Sequence, residues 1–338
     1  MVWANAVERS GLYALLRLDS DDGATGIAEG TLKDTWSGVS PRSLAAALED
    51  FLMPRLKTVD LADEKAVSAA LAGIPENRLA KGMIESACWT MRAARAGAPL
   101  WKLWRTAPER EVLWTVTRGA PARMAAEAAE MCARHGFRAL KVKGGQGIET
   151  DLRALAEIRA AVGTAVTLSV DANSHYAPQE AQRYVAALAQ AGVALAEDPC
   201  ALRPDARFER LQAASPIPIL VDRAASLAED AALFLERGAR AVSAKPGRVG
   251  LTEARAAAAL AEQAGAQSTV GIYGESALGT LVNLQLECPL PAEQTFYLML
   301  QADVSRLVPE IRGGRIRLPD TPDLAQLVDW EAVRRFAA

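Results

Sequence analysis

The feature that most constrains this chain is a repeated pattern rather than a repeated sequence. After Pro108, short β-branched runs alternate with alanine-rich stretches at helical spacing. Residues 112–117, 139–142, 166–170, 193–196, 217–221 and 241–244 read as strands, and 122–134, 150–162 and 178–191 read as helices between them. Repeated strand–helix units imply parallel strands, because each crossover helix returns the chain to the same end of the sheet. Eight units of about 25 residues close a barrel of about 200 residues, and residues 108–307 have that length. The rival is an open doubly wound sheet. No GxGxxG follows a first strand, which weakens its dinucleotide-binding form.

The first region has a different texture. Residues 12–18 alternate weakly and end at Asp21-Asp22-Gly23, a hairpin-type turn, with 26–29 as the returning strand. From Pro41 to about Gly97 the spacing is helical, with Ser40 as N-cap and Pro41 in the first turn. Three parts are expected: an α+β region over 1–107, a (β/α) barrel over 108–307, and a C-terminal segment over 308–338. That last segment has a proline-rich stretch and a short helix near 330–336, and is expected to return to the first region.

Composition narrows the chemistry. Half of the residues are hydrophobic, enough for a sizeable core. A net charge of −3 and a pI near 5.7 do not favour nucleic acid or an anionic membrane as partner. The four cysteines form no CxxC pair, so structural zinc and a disulfide framework are not expected. No apolar run is long enough to cross a bilayer and the start does not read as a signal peptide, so a cytoplasmic protein is expected. Only two histidines occur in the sequence. Chemistry near neutral pH therefore rests mostly on Lys, Asp, Glu or a metal. His135 reads as a helix end before Gly136; His175 follows a strand end and is either a loop residue or a site residue.

A barrel carries its active site at the C-terminal ends of its strands. There the sequence has Lys141-Val142-Lys143, then Asp171-Ala172-Asn173, Glu197-Asp198-Pro199, Asp222-Arg223 and Lys245-Pro246-Gly247. The steps from Lys143 to Asp171, Glu197, Asp222 and Lys245 are 28, 26, 25 and 23 residues, one βα unit each. The fold itself would bring these groups to one rim. A single charged strand end is ordinarily just solvated; five in register, with two lysines inside an apolar strand, are harder to explain that way. Three carboxylates on successive strands make a hard-oxygen cage suited to Mg²⁺ or Mn²⁺. Lys143 and Lys245 flank that arc, and a nearby cation with partial burial would depress their pKa toward neutrality. Lys141, two residues from Lys143, shares its face of the strand.

These motifs resemble the muconate-lactonizing subgroup of the enolase superfamily. The resemblance rests on Lys141-Val142-Lys143, Val170-Asp171-Ala172-Asn173, Ala196-Glu197-Asp198-Pro199, Val221-Asp222 and Lys245-Pro246-Gly247-Arg248-Val249-Gly250. Gly271-Ile272-Tyr273-Gly274-Glu275-Ser276 and Ile84-Glu85-Ser86-Ala87-Cys88-Trp89 extend it. It implies a modified (β/α)7β TIM-like barrel with an α+β capping domain made from both chain ends. It implies Mg²⁺ on Asp171, Glu197 and Asp222, with Mn²⁺ possible as the ion, and Lys143 and Lys245 as the acid/base pair. It implies that Lys141 helps hold a substrate carboxylate; Asn173 and Glu275 are the further substrate-binding candidates, Glu275 at the rim of the cavity. A lysine base beside bound Mg²⁺ is a general pattern of this superfamily, so these roles follow from the resemblance and are no independent derivation.

The sequence departs from the family in four places. Arg223 stands where Glu usually follows the third ligand; a guanidinium has no lone pair to offer a metal and should face a carboxylate or solvent. Thr90 replaces an Asp, and Pro319 to Leu324 lacks a Gly-Leu-Gly turn. The family has another strand and part of a specificity loop before the position of Trp3-Ala4-Asn5. Cycloisomerisation of muconate is the first expected reaction, with o-succinylbenzoate synthesis or N-acylamino acid racemisation second and dipeptide epimerisation third. From a different class, Arg223 would mark a metal- or ligand-binding protein without turnover. The expected partner is a small-molecule carboxylate, and a homo-oligomer is expected.

Overall fold

The computed structural model describes residues 10–337; the segment around Trp3-Ala4-Asn5 lies outside them. The chain opens with an antiparallel hairpin, Leu12–Asp19 against Thr25–Leu32. Gly23, at φ +83°, makes the turn. Ser40 caps the helix Pro41–Ala46, its hydroxyl accepting from the Ser43 N–H. The longest helix of this region, Arg78–Ala96, lays its buried face on the second hairpin strand and ends at Gly97 in the left-handed conformation. Thr90 joins the two: its hydroxyl accepts from the Ile27 N–H at 2.8 Å and lies 2.9 Å from the Ile27 carbonyl. The hydroxyl thus fills, without charge, a buried position where an aspartate was expected.

Seven parallel strands follow in sequence order: Trp114–Val116, Ala139–Lys143, Thr167–Asp171, Leu195–Glu197, Ile219–Val221, Ala241–Ala244 and Gln267–Val270. Residues 290–293 close the barrel. Leu290 and Glu293 donate to the carbonyls of Ser268 and Val270, while Ala292 donates to Glu111 and accepts from Leu113. Every edge is thereby paired, which excludes the open sheet. Three strands run one residue further than the apolar runs, to Lys143, Asp171 and Glu197. Their last side chains are charged because that end of the barrel faces a cavity.

Two contacts seat the first region on the barrel. Gly82 of the long helix meets the backbone of Val249 and Gly250, so closely that a Cβ at Gly82 would overlap the Val249 carbonyl carbon. Gly250 is itself at φ +88°, a kink at the start of the helix that follows Lys245. Nearby, Ser86 accepts from the Leu251 N–H and the Trp89 indole donates to Thr252. The tail forms a hairpin, Ile311–Arg312 with Arg315–Arg317, that pairs with Glu109–Glu111 at the barrel entrance. It ends in the helix Trp330–Phe336, whose Trp330 ring lies under the Arg17 guanidinium at 5.3 Å. The tail thus returns to the hairpin of the first region. No helix among the described residues is long and apolar enough to cross a membrane.

A second seat is pH-sensitive. Glu29, on the returning strand, accepts from the Ser276 N–H at 2.9 Å and from the Ser276 hydroxyl. Burial raises its carboxyl from 4.5 to about 7, with the charges of Asp303 and Glu275 adding to the rise. A folded pKa above the unfolded one contributes stability that is present in full below pH 4.5 and lost as pH rises through about 7. Urea midpoints should therefore fall as pH rises from 4.5 to about 7 and level off above, and Glu29→Gln should flatten that fall. An identical slope in the variant would remove Glu29 as its cause.

Candidate active site

The strand register assembles the site. Lys143 is the Cα partner of Asp171, and Asp171 of Glu197. Glu197 is level with Leu220, so Asp222 stands two residues beyond the row. Asp198 fixes that offset. It is buried at φ +38°, and its carboxylate accepts from the N–H groups of Asp222 at 3.2 Å and Arg223 at 2.9 Å. The sequence singled out the Glu-Asp-Pro run but gave Asp198 no role.

Three lysines and four acids meet here. Lys143 Nζ lies 2.5 Å from Asp171 Oδ2, and Lys245 Nζ 2.6 Å from Asp222 Oδ2. Their strands are the second and sixth of eight, on opposite sides of the barrel, and both side chains line one cavity with Asp171, Asn173, Glu197 and Asp222. Lys141 lies deeper. Its ammonium donates to both Glu197 oxygens, at 2.8 and 3.1 Å, and to Glu293 Oε2 at 2.6 Å. All three of its protons are engaged, and its side chain is 2% exposed against 14% for Lys143 and 13% for Lys245. Lys141, expected to hold a substrate carboxylate, lines the same cavity and is paired there with two buried glutamates.

Charge explains the protonation pattern. Burial pushes Asp171 up, but the Lys143 and Lys141 ammonium groups outweigh it and hold its carboxyl well below the ordinary range. Asp222 is lowered too: burial acts upward, and Lys245 and Lys141 overcome it. Glu197 goes the other way, raised by burial and by Asp171 against the pull of Lys141. Burial draws Lys245 down, yet Asp222 and Glu197 leave it raised, and Lys141 is raised likewise. The depression expected of Lys245 assumed a cation beside it, and this balance is that of the protein groups only. Protein carboxylates alone stabilise its ammonium, so the downward shift requires a cation to outweigh them.

The other candidates fall as follows. Asn173, at φ +50°, donates from its side-chain amide to Asp171 Oδ2 at 2.8 Å and lies 3.5 Å from Lys143 Nζ. It braces an acid and a lysine on the cavity wall, in a left-handed conformation that asparagine tolerates. Glu275 is not on the rim. It is buried under its own loop, accepting from Tyr273, Gly274 and the Asn283 amide, and pressed against Gly247. It braces the start of the Lys245 helix from beneath. Arg223 is exposed, with its guanidinium 5.3 Å above the Trp36 ring. His135 ends its helix and His175 packs edge-on to Tyr176; neither lines the cavity. Lys33, Trp36, Ile272 and Tyr273 do line it, the first two from the capping region, and the sequence flagged none of them as site residues. Glu293 was also missed. Continuing the spacing 26 residues from Lys245 to Gly271, then 22 more, would have reached it.

The donor set suits a divalent cation. Four carboxylates face three ammonium groups, Asp198 adds another buried acid, and Asp222 Oδ1 is buried without a hydrogen-bond partner. An unpaired carboxylate oxygen in the interior is costly unless a cation or donor meets it. Among the described residues no three such side chains converge as a ready-made ligand group, since each is drawn to an ammonium instead.

Comparison with known proteins fits this geometry. Residues 123–332 match the family described as enolase C-terminal domain-like, and residues 3–104 match the mandelate racemase / muconate lactonizing enzyme N-terminal domain. Muconate cycloisomerase 1-2 of Acinetobacter lwoffii is 29% identical, over 95% of this chain and 87% of the relative. An o-succinylbenzoate synthase of Geobacillus stearothermophilus is 30% identical, over 91% of this chain and 81% of the relative. The solved muconate lactonizing enzyme of Pseudomonas putida superposes with a TM-score of 0.90 at 27% identity, covering 96% of this chain and 94% of that one.

Proposed function

The chain belongs to the mandelate racemase / muconate lactonizing enzyme family of the enolase superfamily, and from that premise we propose that it is a Mg²⁺-dependent enzyme moving a proton at the carbon next to a substrate carboxylate. Mn²⁺ would serve as well. The observation that carries the proposal is the lysine pair: two ammonium groups on opposite strands, each on its own carboxylate, lining one cavity. Such a pair can address both faces of a planar enediolate. Asp171, Glu197 and Asp222 would hold the cation, which supplies positive charge against the second negative charge a carboxylate develops.

The remaining groups act on geometry. Asp198 positions Asp222 through its backbone, Asn173 positions Asp171, and Lys141 with Glu293 orients Glu197. Muconate cycloisomerisation is the first reaction to test. In it one carboxylate oxygen adds across a double bond while a lysine ammonium delivers its proton to the carbon next to the other carboxylate. The product keeps every atom of the dianion and gains that one proton, which the lysine recovers from solvent. The similar pairing of the two lysines, at 2.5 and 2.6 Å, favours a second reading: racemisation of an N-acylamino acid, one lysine removing the α-proton and the other returning it.

Incubation in D₂O separates the two. Exchange at the α-carbon of both N-acylamino acid enantiomers supports racemisation; muconate or lactone turnover without it supports cycloisomerisation; neither would overturn the proposed function. The metal is tested apart from turnover. By calorimetry, Asp222→Ala should weaken Mg²⁺ binding at least about tenfold, since it removes a charged ligand. Unchanged affinity in alanine variants of Asp171, Glu197 and Asp222 alike would end the assignment.

A further inference from the structure

The lysine cavity has a neighbour. A second chamber between the capping hairpin and the end of the barrel is lined by Leu12, Tyr13, Leu32, Val39, Phe296 and Leu300, among others. Its walls are mostly apolar. Lys33 lines both spaces and is the one charged side chain among the described residues lining the chamber. Its stem crosses Gly274, where a Cβ would stand 3.0 Å from Lys33 Cε, and its ammonium lies 5.8 Å from the Phe296 ring. A side chain at Gly274 would crowd the Lys33 tip, and its backbone, at φ +98°, is one that glycine adopts without strain.

Polar atoms without hydrogen-bond partners cluster at the same junction. Trp36 Nε1 and Tyr273 Oη are buried and unpartnered on residues lining the lysine cavity, and Thr31 Oγ1 is buried and unpartnered on a residue lining the chamber. The indole is only a donor, and a buried donor left unmatched is destabilising. Such a set calls for an acceptor oxygen on the ligand.

We propose that Trp36, Tyr273 and Lys33 form a second anchoring subsite for an acceptor oxygen remote from the reacting carboxylate, and that the chamber beyond takes an apolar tail of several carbons. The substrate is then an elongated acid, such as an amino acid carrying a medium-length acyl group. This rests on the lysine cavity being the reaction site, and not on which of the two reactions occurs there.

N-acylglycines have the carboxylate, the carbonyl and a tail of chosen length. Calorimetry on the full chain with Mg²⁺ should find N-octanoylglycine bound about thirtyfold more tightly than N-acetylglycine, since each buried methylene contributes. Val39→Trp and Leu300→Trp each fill the chamber and should bring the octanoyl compound back toward the acetyl one. Tyr273→Phe and Lys33→Met should weaken both ligands, by about tenfold, because the carbonyl is common to them. Equal affinity in the unaltered protein overturns the chamber, and so does a tail effect that survives both tryptophan variants. Loss of neither ligand in Tyr273→Phe and Lys33→Met overturns the anchoring subsite. If neither acylglycine binds while lysine-dependent proton exchange on shorter acids persists, the tail proposal fails and the site assignment stands. If tail-dependent binding is found but no acid exchanges or turns over, the chamber stands and the site assignment fails.

Discussion

Alanine at Lys143 or at Lys245 is expected to lower α-proton exchange or turnover by about 10²–10⁴-fold, the usual contribution of a positioned acid or base. Each ammonium contacts a different carboxylate on a different strand, so neither can stand in for the other. Lys→Arg should not rescue either position, because a guanidinium stays protonated and cannot act as base. The two variants need not behave alike. In a racemase, each should abolish exchange on one enantiomer; in a cycloisomerase, one should stop proton delivery and the other should weaken charge stabilisation. Steady-state kinetics and NMR-monitored exchange on both variants, with urea unfolding to show that the fold persists, check this. Full activity in either variant would overturn the two-lysine site.

Lys141→Met should instead damage the fold. The lysine is buried with Glu197 and Glu293 and lies 3.6 Å from Asp171, so its charge is balanced entirely by buried acids. Removing one partner of a buried ion cluster costs about 3–5 kcal/mol, because the remaining charges lose their compensation. Glu197 is already raised by burial and by Asp171. A group raised in the folded state favours folding at low pH, so the deficit of the variant should shrink as pH falls and Glu197 protonates. Added Mg²⁺ should recover part of the loss if the cation replaces the missing positive charge. Urea unfolding at two pH values, with and without Mg²⁺, provides the measurement. A variant as stable as the parent at neutral pH would show that the cluster carries no net charge burden.

Some of this was legible because of spacing. A βα unit has nearly constant length, so acids and lysines 23–28 residues apart come to the same rim whatever lies between them. Asp171, Glu197, Asp222, Lys143 and Lys245 were found that way. Glu293 escaped because its strand, 290–293, is flanked and interrupted by Pro289 and Pro291 and has no β-branched run to announce it. Glu275 was chosen for a glycine-rich loop, but that loop folds over its carboxylate.

The sequence by itself determined the parallel barrel, the capping hairpin and the strand ends that carry charge, since these follow from periodicity and unit length along the chain. Only the tertiary structure decided the partners of those charges. Lys141 and Lys143 are chemically identical, two residues apart and both line the cavity, yet one is held by two buried glutamates and the other, more exposed, by Asp171. Lys33 and Trp36 join the site because Gly82 and Gly250 let the cap approach the barrel at backbone distance. The physical reason is that local pattern sets which face a residue occupies, whereas burial and competition among charges set what it does there.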